Sequence, residues 1–471
     1  MTRTEFEARG GLLRRTALAL ALGAAVFVGG REGLAAEPTW PGTTWPTATP
    51  AQVGMDPALL GQGVDFAKGY GGAGMVVRQG YVVATWGDTN ALVNVRSAAK
   101  SFGSILAGVA VGDGLLALSD KAQARLPSFG TPPASNAATG WLPQVTLEQL
   151  ATHTAGFTKG DGGYVETNLA PGTAFRYSDA GSNWLGDVLT AAFRQDLSVV
   201  LRARVLNPIG VPASGLRWGV NAYRPEPVDG VYRRAVSSSI YASVDAMARV
   251  GLMLARGGAW KATQIVPQAY VQQAARVPDS IIRLQPAADY DVSTPHPAQH
   301  YGLLFWNNAD LAMPGLPTDA FWAWGLDDAI FVVVPSLDLV IARHGPRIDP
   351  GLNGIRFGSY EALRPFLSPI GRAVTRANTK PVVNAGPDLT LAAPGSIQIA
   401  GRFADDGLPG KYGPVVAWSK VSGPAAAVTF APATRAVTTA TFTAAGTYTL
   451  KLAVGDRSLK GSATVKVKVG P

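Results

Sequence analysis

The sequence predicts an α+β domain followed by a small all-β sandwich, on three observations. Strand-like runs stand far apart, at Met75–Arg78 with Tyr81–Trp86 and again from Phe331 to Ala342, and helical patterns fill the interval. One sheet closed by distant segments accounts for that order. After Asn378 the composition turns to Thr, Val, Ala and Gly in short alternating runs separated by turn residues, as small sandwiches require. The chain is also long enough for more than one core, with 471 residues of which only 15% are charged.

Taken in order, Arg14-Arg15 precede the apolar run Thr16 to Val28 and the small residues Gly33 to Ala36, which reads as a signal peptide over 1–36. Sec and twin-arginine export both stay open. The run is too short to span a bilayer comfortably, and no later segment is long enough, so the expectation is an exported periplasmic or extracellular protein with no membrane span once the leader is removed. After a Pro/Thr/Trp-rich stretch from Pro38 to Pro50, Gln79-Gly80 joins two strands into a hairpin. Helical patterns follow at Ser101–Leu118, Ser182–Phe193, Leu197–Leu206 and Ser243–Arg256, while Thr146-Leu147-Glu148-Gln149 matches a capping box whose helix ends near His153. Pro335 to Asp338 turns between two strands, and Tyr360–Thr375 reads as a terminal helix. The first domain is placed at 45–376 and the sandwich at 381–471.

Composition excludes several classes of function. There is no cysteine, hence no disulfide framework, thiol nucleophile or cysteine-bound zinc. His153, His296, His300 and His344 lack metal-ligand spacing, and no cofactor or metal is expected. The net charge of +9 comes from singly spread residues, several of them in the leader, so no nucleic-acid partner is expected. Gly69 to Gly74 fits G-x-G-x-x-G but precedes a strand, which makes it a turn.

The chemistry centres on Val95-Arg96-Ser97-Ala98-Ala99-Lys100. Residues i and i+3 share a face at a helix start, so the lysine amine reaches the serine hydroxyl. A serine without a base is a poor nucleophile, and a neutral lysine in a dry site activates it. For the tetrad alone a capping serine followed by a solvated lysine is the better reading, since S-x-x-K occurs by chance in many chains of this length. Two further blocks narrow the choice: Leu150 to Phe157, and Pro171 to Gly186 with Tyr177-Ser178-Asp179 inside it.

Together these blocks resemble the serine β-lactamase and penicillin-binding-protein superfamily, especially the branch of class C β-lactamases, esterases, D-alanyl-D-alanine carboxypeptidases, D-aminopeptidases and 6-aminohexanoate-dimer hydrolases. The resemblance runs over roughly residues 45 to 370. It implies a β-lactamase-like antiparallel sheet flanked by helices plus a helical subdomain. It also implies Ser97 as acylated nucleophile, Lys100 as its proton partner and Tyr177 as the phenol that relays protons. The oxyanion hole it implies is the backbone amides of Ser97 and Leu326.

The chain departs from its relatives twice. Where they carry a cation in the third motif, this chain has Phe321 to Ala329 with none, and where they commonly carry Asn, it has Asp179. Asp179, Trp324, Gly325, Asp327 and Asp328 are therefore the expected substrate-binding residues. Three carboxylates toward the cleft favour ammonium-bearing or neutral esters and amides over β-lactams. Paired with Lys100, Asp179 would hold the lysine protonated and shift the base duty to Tyr177. His153 is expected to be structural, and Asn183 to fix a loop. The expectation is an exported serine hydrolase of an ester or amide, with a β-lactamase or D,D-carboxypeptidase, or a catalytically degenerate binding protein, as alternatives.

In the C-terminal unit, Val383 to Asp388, Phe403 to Gly407, Trp418 to Pro424 and Ala444 to Tyr448 resemble PKD-like, immunoglobulin-type modules. That resemblance implies a spacer or a contact with cell-wall or polysaccharide material.

Overall fold

The computed structural model describes residues 38–289, 297–349 and 359–471. The expected leader lies outside them. Helix α1 (Pro57–Gly69) is opened by Asp56, whose carboxylate accepts from the amides of Ala58 and Leu59. Strands β1 (Ala73–Arg78) and β2 (Tyr81–Trp86) form the hairpin, and both turn residues have positive φ, Gln79 at 55° and Gly80 at 82°. That is the turn whose twist matches paired strands.

The principal sheet has six strands. Its order is β2, β1, β6 (Leu339–His344), β5 (Ala329–Val334), β4 (Phe321–Gly325) and β3 (Trp306–Asn307), all antiparallel. The Leu339 strand thus meets the N-terminal hairpin directly, with Val76 opposite Ile341, and the Phe331 strand joins on its far side. On the sheet lies helix α4 (Val244–Ala255), capped by Ser243, while the terminal helix α6 (Tyr360–Ala373) pairs with α1 and packs Phe366 on Trp86 and Tyr360 on Trp322. Helix α2 (Ala99–Gly112) is buried over nearly its whole length, and α3 (Asp179–Phe193) and α5 (Gln268–Ala275) pack against it.

Helix α2 ends six residues before the expected Leu118, because Asp113 caps it and Gly114 turns the chain at φ 70°. The Leu197 helix runs to Leu201 and continues as a π-turn over Arg202–Leu206. The capping box forms as read: Thr146 accepts from the Gln149 amide, and the Thr146 amide donates to the Gln149 side chain.

Beyond Asn378 every described element is a strand. A four-stranded sheet runs Leu389–Leu391, Lys460–Val469, Gly446–Gly455, Val415–Ser422, and a three-stranded one runs Gly395–Ala400, Val437–Phe442, Val428–Ala431. Ile399, Ala440 and Phe442 of one sheet pack on Trp418, Leu450, Leu452 and Val467 of the other. The Tyr448 hydroxyl donates back to the Ala444 carbonyl at 2.7 Å, tying the start of its strand. Among the described residues no helix is long and apolar enough to cross a membrane.

Candidate active site

The site is assembled from four segments. The first is a one-turn 3-10 helix, Arg96–Ala98, leading straight into α2. Arg96 stands at φ 53°, its amide donating to the Asn94 side chain at 2.9 Å, so the chain bends sharply just before Ser97. Lys100, one turn later, is 1% exposed.

Its ammonium donates three hydrogen bonds: to Ser97 Oγ at 3.1 Å, to Asp179 Oδ1 at 2.5 Å and to the Ser237 carbonyl at 3.0 Å. Three acceptors use all three protons of a charged lysine. Burial alone would lower its pKa, but Asp179 and Tyr177 outweigh burial and raise it. Lys100 is therefore an ammonium at rest.

The second segment is the start of α3. Ser178 caps it, accepting from the Gly181 amide at 2.9 Å and donating to the Thr158 carbonyl at 2.6 Å. Tyr177 and Asp179 flank that cap, and the Lys100 ammonium lies 4.8 Å from the centre of the Tyr177 ring. Burial raises the Tyr177 pKa, the nearby Lys100 charge only partly offsets it, and Asp179 adds to the rise, so the phenol keeps its proton.

His153 holds Tyr177 from behind, with ring centroids 4.3 Å apart. Its Nδ1 accepts from the Ser178 amide at 3.1 Å, which leaves the proton on Nε2 to face the Tyr301 hydroxyl at 3.1 Å. Burial, then Lys100, push its pKa well below 6.5. His153 is a neutral support, as expected. Asn183 joins two loops, donating to the Gly162 carbonyl and accepting from the Ser237 amide, and so sets the third segment, which supplies the Ser237 carbonyl. Arg176 is committed to Asn168 and Asp289.

The fourth segment is the end of β4. A Cβ on Gly325 would stand 2.0 Å from the Val95 carbonyl and 3.0 Å from the Ala98 amide, so only glycine lets this strand lie against the Ser97 turn. Leu326 follows at that junction, with its side chain exposed.

The structure thus gathers Ser97, Lys100, Tyr177 and Asp179 in one cluster, with Gly325 and Leu326 beside the Ser97 turn. Two expected substrate-binding residues are not available. Asp328, at φ 53° and 2% exposed, accepts from Trp324 Nε1 and from the Ile348 amide, both at 2.8 Å. The Trp324 ring packs on Trp306 and Tyr360. Asp328 and Trp324 belong to the packing of the strand edge.

Nor do three uncompensated carboxylates face the cleft. Asp179 pairs with Lys100, and Asp327 lies 3.5 Å from Arg96 and 3.7 Å from Arg347. The expected pull on ammonium substrates fails for that reason. Sequence reading also missed Trp306, stacked on Tyr177 with 15° between planes, and Tyr301, because nothing local marks an aromatic as facing a catalytic phenol. Among the described residues no group of three or more His, Asp or Glu could hold a metal ion.

The family model described as Beta-lactamase matches residues 36–343. Among solved structures, a β-lactamase-type protein from Bacteroides dorei DSM 17855 is 18% identical at a TM-score of 0.53, covering 67% of this chain and 99% of that one. A family VIII carboxylesterase is 16% identical at a TM-score of 0.50, covering 69% of this chain and 97% of that one. At these identities the likeness concerns the fold. No curated protein matches the chain.

Proposed function

Because the chain belongs to the β-lactamase family, we propose that it is a serine hydrolase that cleaves an ester or amide through an acyl-enzyme on Ser97. The observation that carries this reading is the buried Lys100 ammonium bonded to both Ser97 Oγ and Asp179.

The proton inventory defines the steps. At rest Lys100 is charged and Tyr177 neutral, so neither is an open base. The vacancy lies on Asp179. As Ser97 Oγ attacks the carbonyl, Lys100 passes one proton to Asp179 and takes the serine proton, leaving Lys100 an ammonium and Asp179 neutral, so the pair carries one positive charge that balances the oxyanion. When the tetrahedral intermediate collapses, Tyr177 gives its proton to the leaving group, Lys100 reprotonates Tyr177, and Asp179 returns its proton to Lys100. Water repeats the sequence in reverse order to release the acid. The amides of Ser97 and Leu326 would stabilise the oxyanion. Asp179 is then a proton acceptor and not a substrate ligand.

Neutral acyl esters are the favoured substrates. Arg96 and Arg347 share Asp327, so this edge carries a small net positive charge largely open to solvent and offers a β-lactam carboxylate little. Ester hydrolysis is also the activity named for the carboxylesterase of the same fold. Export rests on the Arg14 to Ala36 pattern, and the C-terminal strands are proposed as a PKD-like spacer.

A fluorophosphonate probe followed by intact-mass analysis should add one label per chain, lost in Ser97→Ala. A panel of nitrocefin and p-nitrophenyl butyrate should give the higher kcat/KM for the ester. An unlabelled protein, or nitrocefin as the better substrate, overturns the corresponding half of the proposal.

A further inference from the structure

A cavity of about 850 Å³ lies where the C-terminal strands meet the hydrolase fold, lined by Arg276, Ile282, Tyr360, Arg402, Arg435 and Val437 among others. None of Ser97, Lys100, Tyr177 and Asp179 lines it. Tyr360 separates the two places, packing on Trp306, which stacks on Tyr177.

The walls are held on both sides. Arg402 donates to the Val277 carbonyl at 2.9 Å and pairs with Asp279. The Thr318 amide donates to the Asp405 carbonyl at 3.0 Å, and Val277, Ile281 and Ile282 pack with Ala400 and Val437. The space is therefore bounded by specific contacts, in the size range of small-ligand sites.

Its charges are unequally committed. Arg402 is taken by Asp279, Arg364 by the Ala312 carbonyl and Glu361, and Asp319 by Ser336. Asp310 faces His300 at 3.2 Å. Arg435 is half-buried, and burial lowers its pKa. Among the described residues its guanidinium has no hydrogen-bond, ion-pair or aromatic partner. A desolvated guanidinium without an acceptor is costly, and its geometry fits a carboxylate through two parallel bonds. Arg276, exposed on the same cavity, adds positive potential. Ile282, Phe403 and Val437 offer apolar surface beside these cations.

We propose that this junction cavity binds a small carboxylate-bearing ligand with an apolar body, its carboxylate on Arg435 and its body against Ile282, Phe403 and Val437. The proposal does not depend on the chemistry at Ser97.

Calorimetric titration of the full chain with 4-phenylbutyrate, and with 4-phenylbutanol as its neutral counterpart, tests it. The acid should bind at least about tenfold more tightly than the alcohol, and Arg435→Gln should remove about tenfold of that affinity. Arg276→Gln should cost roughly two- to threefold. In Arg435→Gln the ester turnover should stay unchanged, and the unliganded melting temperature should equal or exceed wild type, because an uncompensated charge is gone. Equal affinity for acid and alcohol overturns the site, as does an Arg435→Gln variant that binds the acid like wild type. So does binding that vanishes when a phosphonate caps Ser97 yet persists in Arg435→Gln, and so does the absence of any heat at about 10 mM acid.

Discussion

Helix α3 carries two carboxylates eight residues apart, Asp179 partly and Asp187 fully buried, and their partners differ in kind. Asp179, at its first position, meets a lysine. Asp187, a little over two turns on, meets Arg224 at 2.9 Å and Arg233 at 3.4 Å, and both Asp187 and Arg224 are fully buried. Burial raises the Asp187 pKa although both arginines oppose the rise. Arginine keeps its proton under all ordinary conditions, whereas a lysine exchanges it. The Asp187 cluster can only hold charge, and the Asp179 cluster can move it. Lys100 and Arg224 are buried alike, so depth of burial of the cation does not separate a chemical site from a structural one; the exchangeability of its proton does.

The two clusters are also joined. Arg224 donates to the Gly163 carbonyl at 2.8 Å and to the Ala180 carbonyl at 3.1 Å, so the arginine anchors the turn that presents Asp179.

The largest expected effect is chemical. Ser97→Ala should lower kcat/KM for p-nitrophenyl butyrate at least about 10³-fold while leaving the melting temperature within about 2 °C of wild type. Comparable activity in the variant breaks the comparison at its chemical end. Asp187→Ala should do the opposite, costing about 3–5 kcal/mol of folding stability in urea titration, with turnover per folded molecule nearly kept. A stable variant with lost turnover would show that the arginine cluster takes part in catalysis.

Asp179→Asn sharpens the contrast. With the proton vacancy moved to Lys100 itself, kcat/KM at pH 7 should fall about 10- to 100-fold and recover toward alkaline pH. The raised Lys100 pKa contributes stability that is fully present below 10.5 and lost as pH climbs past it. The variant should therefore lose less stability than wild type at the alkaline end of a pH–denaturation series. An unchanged pH–rate profile would remove Asp179 from the proton path.

His153 gives a smaller effect of opposite sign. Its pKa is depressed below 6.5, so its contribution is present above that pH and is lost as the unfolded chain takes up the proton below it. Wild type should lose up to about 2 kcal/mol from this group between pH 7 and 5, a loss absent in His153→Gln. Smallest of all, Asp327→Asn should change stability by less than about 1 kcal/mol, since its arginine pairs are solvent-exposed.

What was legible in the sequence follows the same division. Ser97, Lys100, Tyr177 and Asp179 sit in short blocks whose order and spacing carry the family resemblance, and that resemblance supplies the nucleophile, the amine and the phenol. Their geometry needed little beyond a helix start and a helix cap. The Ser237 carbonyl, the Asp187 arginines and the Arg96 and Arg347 neighbours of Asp327 come from residues far along the chain, and no local pattern marks them. Asp328 misled for a different reason. Two successive positive-φ residues, Asp327 and Asp328, turn the second carboxylate back onto Trp324 of the preceding strand, and a sequence of two adjacent aspartates does not reveal that reversal. The overrun of α2 had a visible signal in Asp113-Gly114, outweighed by the apolar residues after it.

The pairing of β1 with β6 sets an order of events for a growing chain. Val76 waits for Ile341, and until that strand has been synthesised the N-terminal hairpin lacks its inner neighbour in the sheet. Ser97 and Lys100 are made early, but β4, which abuts their turn, comes more than two hundred residues later. Contacts that distant are slow to form, because a long loop must close before any of them is rewarded. The nucleophile is thus translated long before it can be armed, and a nascent chain halted before Phe321 carries the serine without the strand beside it.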